Sequence, residues 1–174
     1  MHKYKERFIN LLGDSGLSFK YVGISLSKIS EKFEFKAIDY DHNWLGYQRL
    51  CLETSGNPVL VCDIAILDNQ KNVIAFFPFE IQSGKLTCGG RALVPPVIMQ
   101  HVPAKTQVFI NNSVIFAIIK LAEDLGDKEC MFKDELASSS VCNGTFKNLI
   151  IPQSKRNSII FHLHLNLREP QDCL

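Results

Sequence analysis

Apolar residues recur with two different periods along this chain, and each period predicts a different kind of element. Over residues 4–12 the spacing is near-helical and ends before a glycine, which predicts a first helix. A second helix is predicted over residues 44–55. Asp41 or Asn43 would cap its N-terminus, and Gly56 stands where a glycine commonly ends a helix.

Two nearly continuous apolar runs follow, "PVLVCDIAIL" (58–67) and "NVIAFFPFEIQ" (72–82). A short polar link joins them, which predicts an antiparallel hairpin of two largely buried strands. Pro78 cannot donate to a strand ladder, so the second run should contain a bulge or an edge position there. Residues 86–88 predict a third strand, so that a meander leads into "KLTCGGRALVPPVI" (85–98).

The remainder of the chain predicts a loop, a helix and two more strands. The loop would cover about a dozen residues, a length that is often functional. Asn112 or Ser113 would then cap a helix that runs to Leu125. "KECMFK" (128–133) predicts a short strand, and the strict alternation of "SIIFHLHLNL" (158–167) predicts a last one.

This order of elements predicts an α/β (α+β) fold in a single domain, 1–174, with a mixed, mostly antiparallel sheet and flanking helices. The net charge of +1 argues against a DNA-binding protein that relies on a broad basic field. No apolar run approaches the roughly 18 residues of a membrane span. The start of the chain lacks the features of a signal peptide, and six scattered cysteines favour a reducing, cytoplasmic setting.

Two acidic residues in the predicted hairpin are candidates for general-base chemistry. Asp63 interrupts an otherwise apolar run, so its carboxylate needs a partner or a raised pKa. Glu80 lies on the neighbouring predicted strand, in a register that the sequence does not fix. The alternative for Asp63 is a strand-face residue at the sheet edge or a carboxylate that is paired for structural reasons.

His162 and His164 project from the same face of the last predicted strand. Two imidazoles in that relation can share a metal ion if a third ligand comes from elsewhere. The alternative is an ordinary half-exposed strand face. We prefer this second interpretation, because no other ligand lies at a suitable spacing, and we predict no metal site.

The segment "CGGRA" is not a phosphate-binding P-loop, because the spacing and the Lys-Ser/Thr pair of that motif are absent. Gly89 and Gly90 are expected to let the backbone turn or to let another segment approach closely. Arg91 is a candidate for binding an anion. Pro95 and Pro96 are expected to stiffen the start of the loop that follows.

Five segments of the chain follow one another in a known pattern: "NWLGYQRL", "PVLVCDIAILDNQKNVIAFFPFEIQ", "KLTCGGRALVPPVI", "SVIFAIIKLAEDLG" and "KECMFK". The succession resembles the N-terminal half of FemAB-like acyltransferases, which are relatives of the peptidoglycan-bridge aminoacyltransferases within the GNAT superfamily. In that family a strand ends in an Asp-x-x-Gly-like turn, and here Gln70 or Asn72 stands where the glycine is usual. The resemblance covers about residues 40–170.

The resemblance implies a GNAT-like domain that transfers an acyl or aminoacyl group from acyl-CoA or aminoacyl-tRNA to a small-molecule amine. It also implies a substrate-binding segment that consists of Gly89, Gly90, Arg91, Pro95 and Pro96. Two features depart from the family pattern. The family has two GNAT-like halves, whereas this sequence corresponds to one, and the R/Q-x-x-G-x-G/A turn that binds acyl-CoA is missing. The alternative is therefore a non-catalytic module that forms a homo-oligomer or pairs with a second GNAT-like half.

Overall fold

The computed structural model describes residues 2–14, 16, 18–21, 41–126 and 130–132. These residues form three helices and seven strands, a mixed α+β arrangement that confirms the predicted fold class. The helices are α1 (His2–Asp14), α2 (His42–Thr54) and α3 (Ala104–Leu125). The strands are β1 (Ser18–Tyr21), β2 (Val59–Val61), β3 (Ile64–Leu67), β4 (Val73–Phe77), β5 (Glu80–Gln82), β6 (Lys85–Thr87) and β7 (Val97–Ile98).

The strands form two small sheets in which all neighbours are antiparallel. One sheet has the order β1-β3-β4-β7 and the other has the order β2-β5-β6. The core includes apolar side chains from both sheets, α1 and α3. Phe8 of α1 lies 4.7 Å from the ring of Phe79, measured between ring centroids, and both side chains are fully buried.

The two apolar runs form a hairpin, as predicted, but each run contains two strands where a single strand was predicted. The first run is interrupted at Cys62 and Asp63, and the second is interrupted at Pro78 and Phe79. The Cys62 N–H donates to the Phe79 carbonyl (2.9 Å), so the arms still touch at the interruption. Because Pro78 has no N–H, the regular ladder cannot continue through it. The hairpin therefore passes from one sheet into the other at this level.

Helix α2 is confirmed, although it begins at His42, earlier than the predicted Trp44. The Asp41 carboxylate accepts a hydrogen bond from the Trp44 N–H (2.9 Å) and caps the N-terminus. At the other end Gly56 has φ +80°, and the Asn57 N–H donates to the Leu52 carbonyl (3.0 Å). This is a Schellman C-cap, which satisfies carbonyls that the last turn leaves free.

The predicted start of α3 at Asn112 or Ser113 was wrong. The helix begins at Ala104, directly after Pro103, so the preceding loop is much shorter than predicted. Asparagine and serine disfavour helix interiors by less than about 1 kcal/mol, which an apolar face outweighs. Ser113 is itself buried inside this helix, whose predicted end at Gly126 is confirmed.

The third meander strand is confirmed as β6. At Phe132 the structure shows a single parallel bridge to Leu93, and the Leu93 N–H donates to the Met131 carbonyl (2.8 Å). Of the strand predicted over 128–133, the structure describes residues 130–132 only. The strand predicted over 158–167, which carries His162 and His164, lies outside the described residues. Of the helices that are described, none combines the length and apolar character needed to cross a membrane.

Candidate functional site

A buried ion cluster lies where helix α2 meets the bent hairpin. Arg49 donates from both Nη atoms to the two carboxylate oxygens of Asp63, at 2.7 and 2.6 Å. Its Nε donates to Oε2 of Glu80 at 2.9 Å. The Arg49 side chain is 9% exposed and both carboxylates are 0% exposed. One guanidinium therefore joins two acidic side chains out of contact with solvent.

The bend in the hairpin explains why Asp63 is needed at its position. Where the ladder is interrupted, the Phe79 N–H donates to Asp63 Oδ1 at 3.0 Å. The carboxylate thus accepts a backbone bond at the bend while it neutralises Arg49. A buried N–H without an acceptor would cost about 1–3 kcal/mol, so Asp63 stabilises both the charge and the change of sheet.

Burial and neighbouring charges act in opposite directions on the pKa values of this cluster. Burial lowers the pKa of Arg49, but the hydrogen bonds and charges of Asp63 and Glu80 outweigh it and raise the pKa above its ordinary value. Burial raises the pKa of Glu80. The charge of Arg49 and hydrogen bonds from Gly90, Arg49 and Thr87 oppose that rise without cancelling it.

Gly89 and Gly90 form a tight two-residue turn directly after β6. Cys88 and Arg91 exchange both backbone hydrogen bonds, each 3.1 Å long. The two glycines have φ +59° and +72°, the signature of a type I′ turn, which L-residues with a Cβ adopt only with strain. The corner predicted for this segment is therefore confirmed.

The same turn packs closely on α2. A Cβ at Gly89 would overlap the side-chain amide of Gln48, whose Cδ would be 2.7 Å away. A Cβ at Gly90 would lie 2.9 Å from Leu52 Cδ1. Glycine is thus required at this turn for close approach as well as for backbone conformation.

An open groove of about 400 Å³ lies beside the turn. Two exposed basic residues, Lys85 and Arg91, line it, and none of its described lining residues is acidic. The volume is within the range of small-ligand pockets, about 300–1,000 Å³. Within the described part of the chain, the lining residues are Gln82, Ser83, Lys85, Leu86, Thr87, Gly90, Arg91, Ala92 and Met131.

The structure brings the two candidate bases together, with their carboxylates held by Arg49. Because neither side chain is exposed, the geometry favours the structural alternative for Asp63 and Glu80. Their catalytic role stays a prediction.

The fold places only some of the predicted substrate-binding residues at the groove. Gly90 and Arg91 line the groove, whereas Gly89 is buried against α2. Pro95 and Pro96 are buried and do not belong to the groove lining. Their predicted ligand role likewise remains untested.

Sequence reasoning missed Arg49, although a signal for it was present. Arg49 lies four residues after Leu45 and three before Leu52, on one helical stripe with them. Two acidic residues in apolar strands require a cation, and Arg49 is the basic residue on that stripe. Lys85 was also missed, because nothing in the sequence indicates that it shares a groove with Arg91.

No family model, no curated protein and no solved structure matches this chain. The resemblance to FemAB-like acyltransferases therefore stays a prediction.

Replacing Arg49 with Met should strongly destabilise the fold, because it leaves two buried carboxylates without a cation. We expect the free energy of unfolding at pH 8 to fall by about 3–5 kcal/mol. Loss of the guanidinium raises the pKa of Glu80 further above its value in the unfolded chain. The loss of unfolding free energy is therefore largest above the raised pKa of Glu80, and it shrinks as pH falls towards about 4. Urea unfolding of both proteins at pH 5 and pH 8 measures it.

The control for this variant is Arg7→Met. Arg7 forms an exposed ion pair with Asp124 (2.8 Å), with the side chains 48% and 39% exposed. Such a pair contributes about 0–1 kcal/mol, so this substitution should have little effect at either pH. Equal losses for the two variants would contradict the importance assigned to the cluster.

Gly89→Ala should destabilise the protein more than Gly84→Ala does. Both glycines have positive φ, but a Cβ at Gly84 meets nothing within 4 Å. Gly84→Ala therefore measures backbone strain alone, about 1–2 kcal/mol. The clash with Gln48 adds an overpacking cost of about 1–3 kcal/mol at Gly89. Thermal and urea unfolding of the two variants compare them, and equal losses would argue against tight packing of the turn on α2.

Proposed function

We propose that this chain is an N-acyltransferase-like domain of the FemAB/GNAT type, and that the groove binds the anionic part of its acyl donor. The observation that carries this proposal is the pairing of Lys85 and Arg91 in one groove, which has no acidic residue among the described residues that line it. Arginine and lysine are the side chains that bind phosphate groups in proteins. Both donors implied by the resemblance, acyl-CoA and aminoacyl-tRNA, carry phosphates.

Polar side chains and a turn surround the two cations. Ser83 offers a hydroxyl group, and Gln82 offers an amide. The type I′ turn at Gly89 and Gly90 brings the backbone to the edge of the groove without side chains that would fill it. These groups suit a ligand with several oxygen atoms, because hydroxyls and amides donate to such oxygens.

In the proposed reaction the amine nitrogen forms a bond to the acyl carbon of the donor. The C–S bond of a thioester or the C–O bond of an ester breaks, and the amine proton passes to the leaving group through solvent. Catalysis of this kind depends mainly on positioning of the two reactants and on donors to the developing oxyanion. The groove supplies positioning of the donor, and the small-molecule amine is the second substrate.

We place this activity in the cytoplasm. Six cysteines are scattered along the sequence without a C-x-x-C pair, and Cys62 and Cys88 are buried in the described part of the chain. This distribution favours a reducing compartment over a disulfide framework.

Removing either groove cation should weaken donor binding. A hydrogen bond to a charged group contributes about 1.5–3 kcal/mol, so Lys85→Ala and Arg91→Ala should each lower the affinity for coenzyme A at least about tenfold. Isothermal titration calorimetry with coenzyme A measures this. A thermal-shift series with coenzyme A, acetyl-CoA and an aminoacyl donor then distinguishes the donors.

The matched control is Lys120→Ala, which removes an exposed cation on α3 that does not line the groove. It should leave the affinity unchanged, while both groove variants should keep the thermal stability of the unliganded protein. Absence of any shift with all three donors would overturn the proposed function for this chain. Equal losses in all three variants would indicate nonspecific attraction and would contradict a defined site.

The second candidate function is an assembly module without catalysis of its own. Exposed apolar side chains on two helices favour it: Phe109 and Phe116 on α3 are 46% and 52% exposed, and Tyr47 and Leu50 on α2 are 60% and 58% exposed. Phe109 and Phe116 are seven residues apart and so share one face of α3, and an exposed apolar face often marks a protein interface. The partner we assign to the α3 surface is a second copy of this chain.

This candidate predicts that the mass of the protein in solution rises with concentration. Phe116→Glu should keep it monomeric, because the added carboxylate would be buried in the interface. Light scattering after gel filtration at several concentrations measures the mass. Asn10→Glu, which adds the same charge at an exposed position of α1, should associate like the unmodified chain. A monomer at all concentrations would exclude self-assembly.

A further inference from the structure

The two oxygens of Glu80 face in different directions. Oε2 accepts from Arg49 (2.9 Å) inside the buried cluster. Oε1 accepts from the Gly90 N–H (2.8 Å) and from the Thr87 hydroxyl (3.1 Å). Both of these donors belong to residues that line the groove, so one buried carboxylate connects the cluster to the groove wall.

The bond to Gly90 has a specific reason. The turn is closed by hydrogen bonds between Cys88 and Arg91, which leave the amides of the two central residues without a partner in the hairpin. Glu80 supplies the acceptor for the Gly90 amide. Because Arg91 directly follows Gly90, this bond also fixes where the Arg91 side chain leaves the backbone.

Thr87 is held in a similar way at the end of β6. Its hydroxyl donates to the same Oε1 atom, and its backbone pairs with Glu80 across the β5–β6 ladder. Glu80 therefore orients one groove residue before the turn and one within it. The long side chain reaches both groups while its other oxygen stays on Arg49.

We propose that Glu80 is a positioning residue of the groove: its bonds to Thr87 and Gly90 hold the groove wall, and with it Arg91, in the conformation that binds an anionic, phosphate-bearing ligand. This inference rests on the proposed function only in taking the groove as the donor site. A purely structural role would stabilise the fold without affecting ligand affinity.

The test compares Glu80→Ala, Glu80→Gln and Leu12→Ala in the full chain, at a temperature where each variant is folded. Leu12 is fully buried on α1, and none of the described groove residues belongs to that helix, so its truncation is a control for lost stability alone. Glu80→Ala should lower the affinity for coenzyme A at least about tenfold. Glu80→Gln keeps an acceptor for Gly90 and should recover part of that affinity, whereas Leu12→Ala should bind like the unmodified chain.

A second readout does not depend on any ligand. Hydrogen exchange of the Gly90 and Arg91 amides should be faster in Glu80→Ala than in Leu12→Ala, relative to exchange in the α3 core of each variant. If the unmodified chain binds none of the three donors, the proposed function fails, and this exchange result decides the positioning role by itself. Equal exchange rates in the two variants, or equal affinities where binding occurs, would overturn the inference.

Discussion

The burial of one guanidinium constrains the rest of this structure. A charge removed from water requires compensating charges and hydrogen bonds, and removing either partner from such a pair is strongly unfavourable. Arg49 donates three hydrogen bonds to carboxylates that lie 14 and 31 positions away along the chain. The helix and both arms of the hairpin must therefore assemble together, since burying one of the three charged groups without its partners is unfavourable.

The same constraint explains the arrangement of the two sheets. A hairpin whose arms both leave the ladder at one level would expose backbone groups to an apolar interior. The Asp63 carboxylate accepts a hydrogen bond from the Phe79 N–H, and the Phe79 carbonyl accepts one from the Cys62 N–H. The bend is stabilised by the ion cluster that it creates, so the acidic residue in an apolar strand is a requirement of the fold and not an anomaly within it.

Local patterns were sufficient to predict much of this fold. The caps of α2, the hairpin, β6 and the corner at Gly89 follow from side chains that act within a few residues of themselves. The bend between the sheets and the start of α3 did not follow, because tertiary packing outweighed local preference in both cases. The site was harder still: Asp63 and Glu80 were recognised as unusual, but their relation to Arg49 depends on a register and on a helix position that the sequence does not specify.

Strand β6 has three residues, and a two-residue turn closes each of its ends, at Ser83-Gly84 and at Gly89-Gly90. Along it the exposed Lys85 and the half-buried Thr87 alternate with the buried Leu86. An insertion of one residue would exchange the two faces, turning a leucine outwards and a lysine or threonine into the core. Both turns have only two residues, so neither can absorb an inserted residue and restore the register of the strand. The groove can therefore diversify by substitution at individual positions, whereas changes of length within this strand would destroy the core and the groove together.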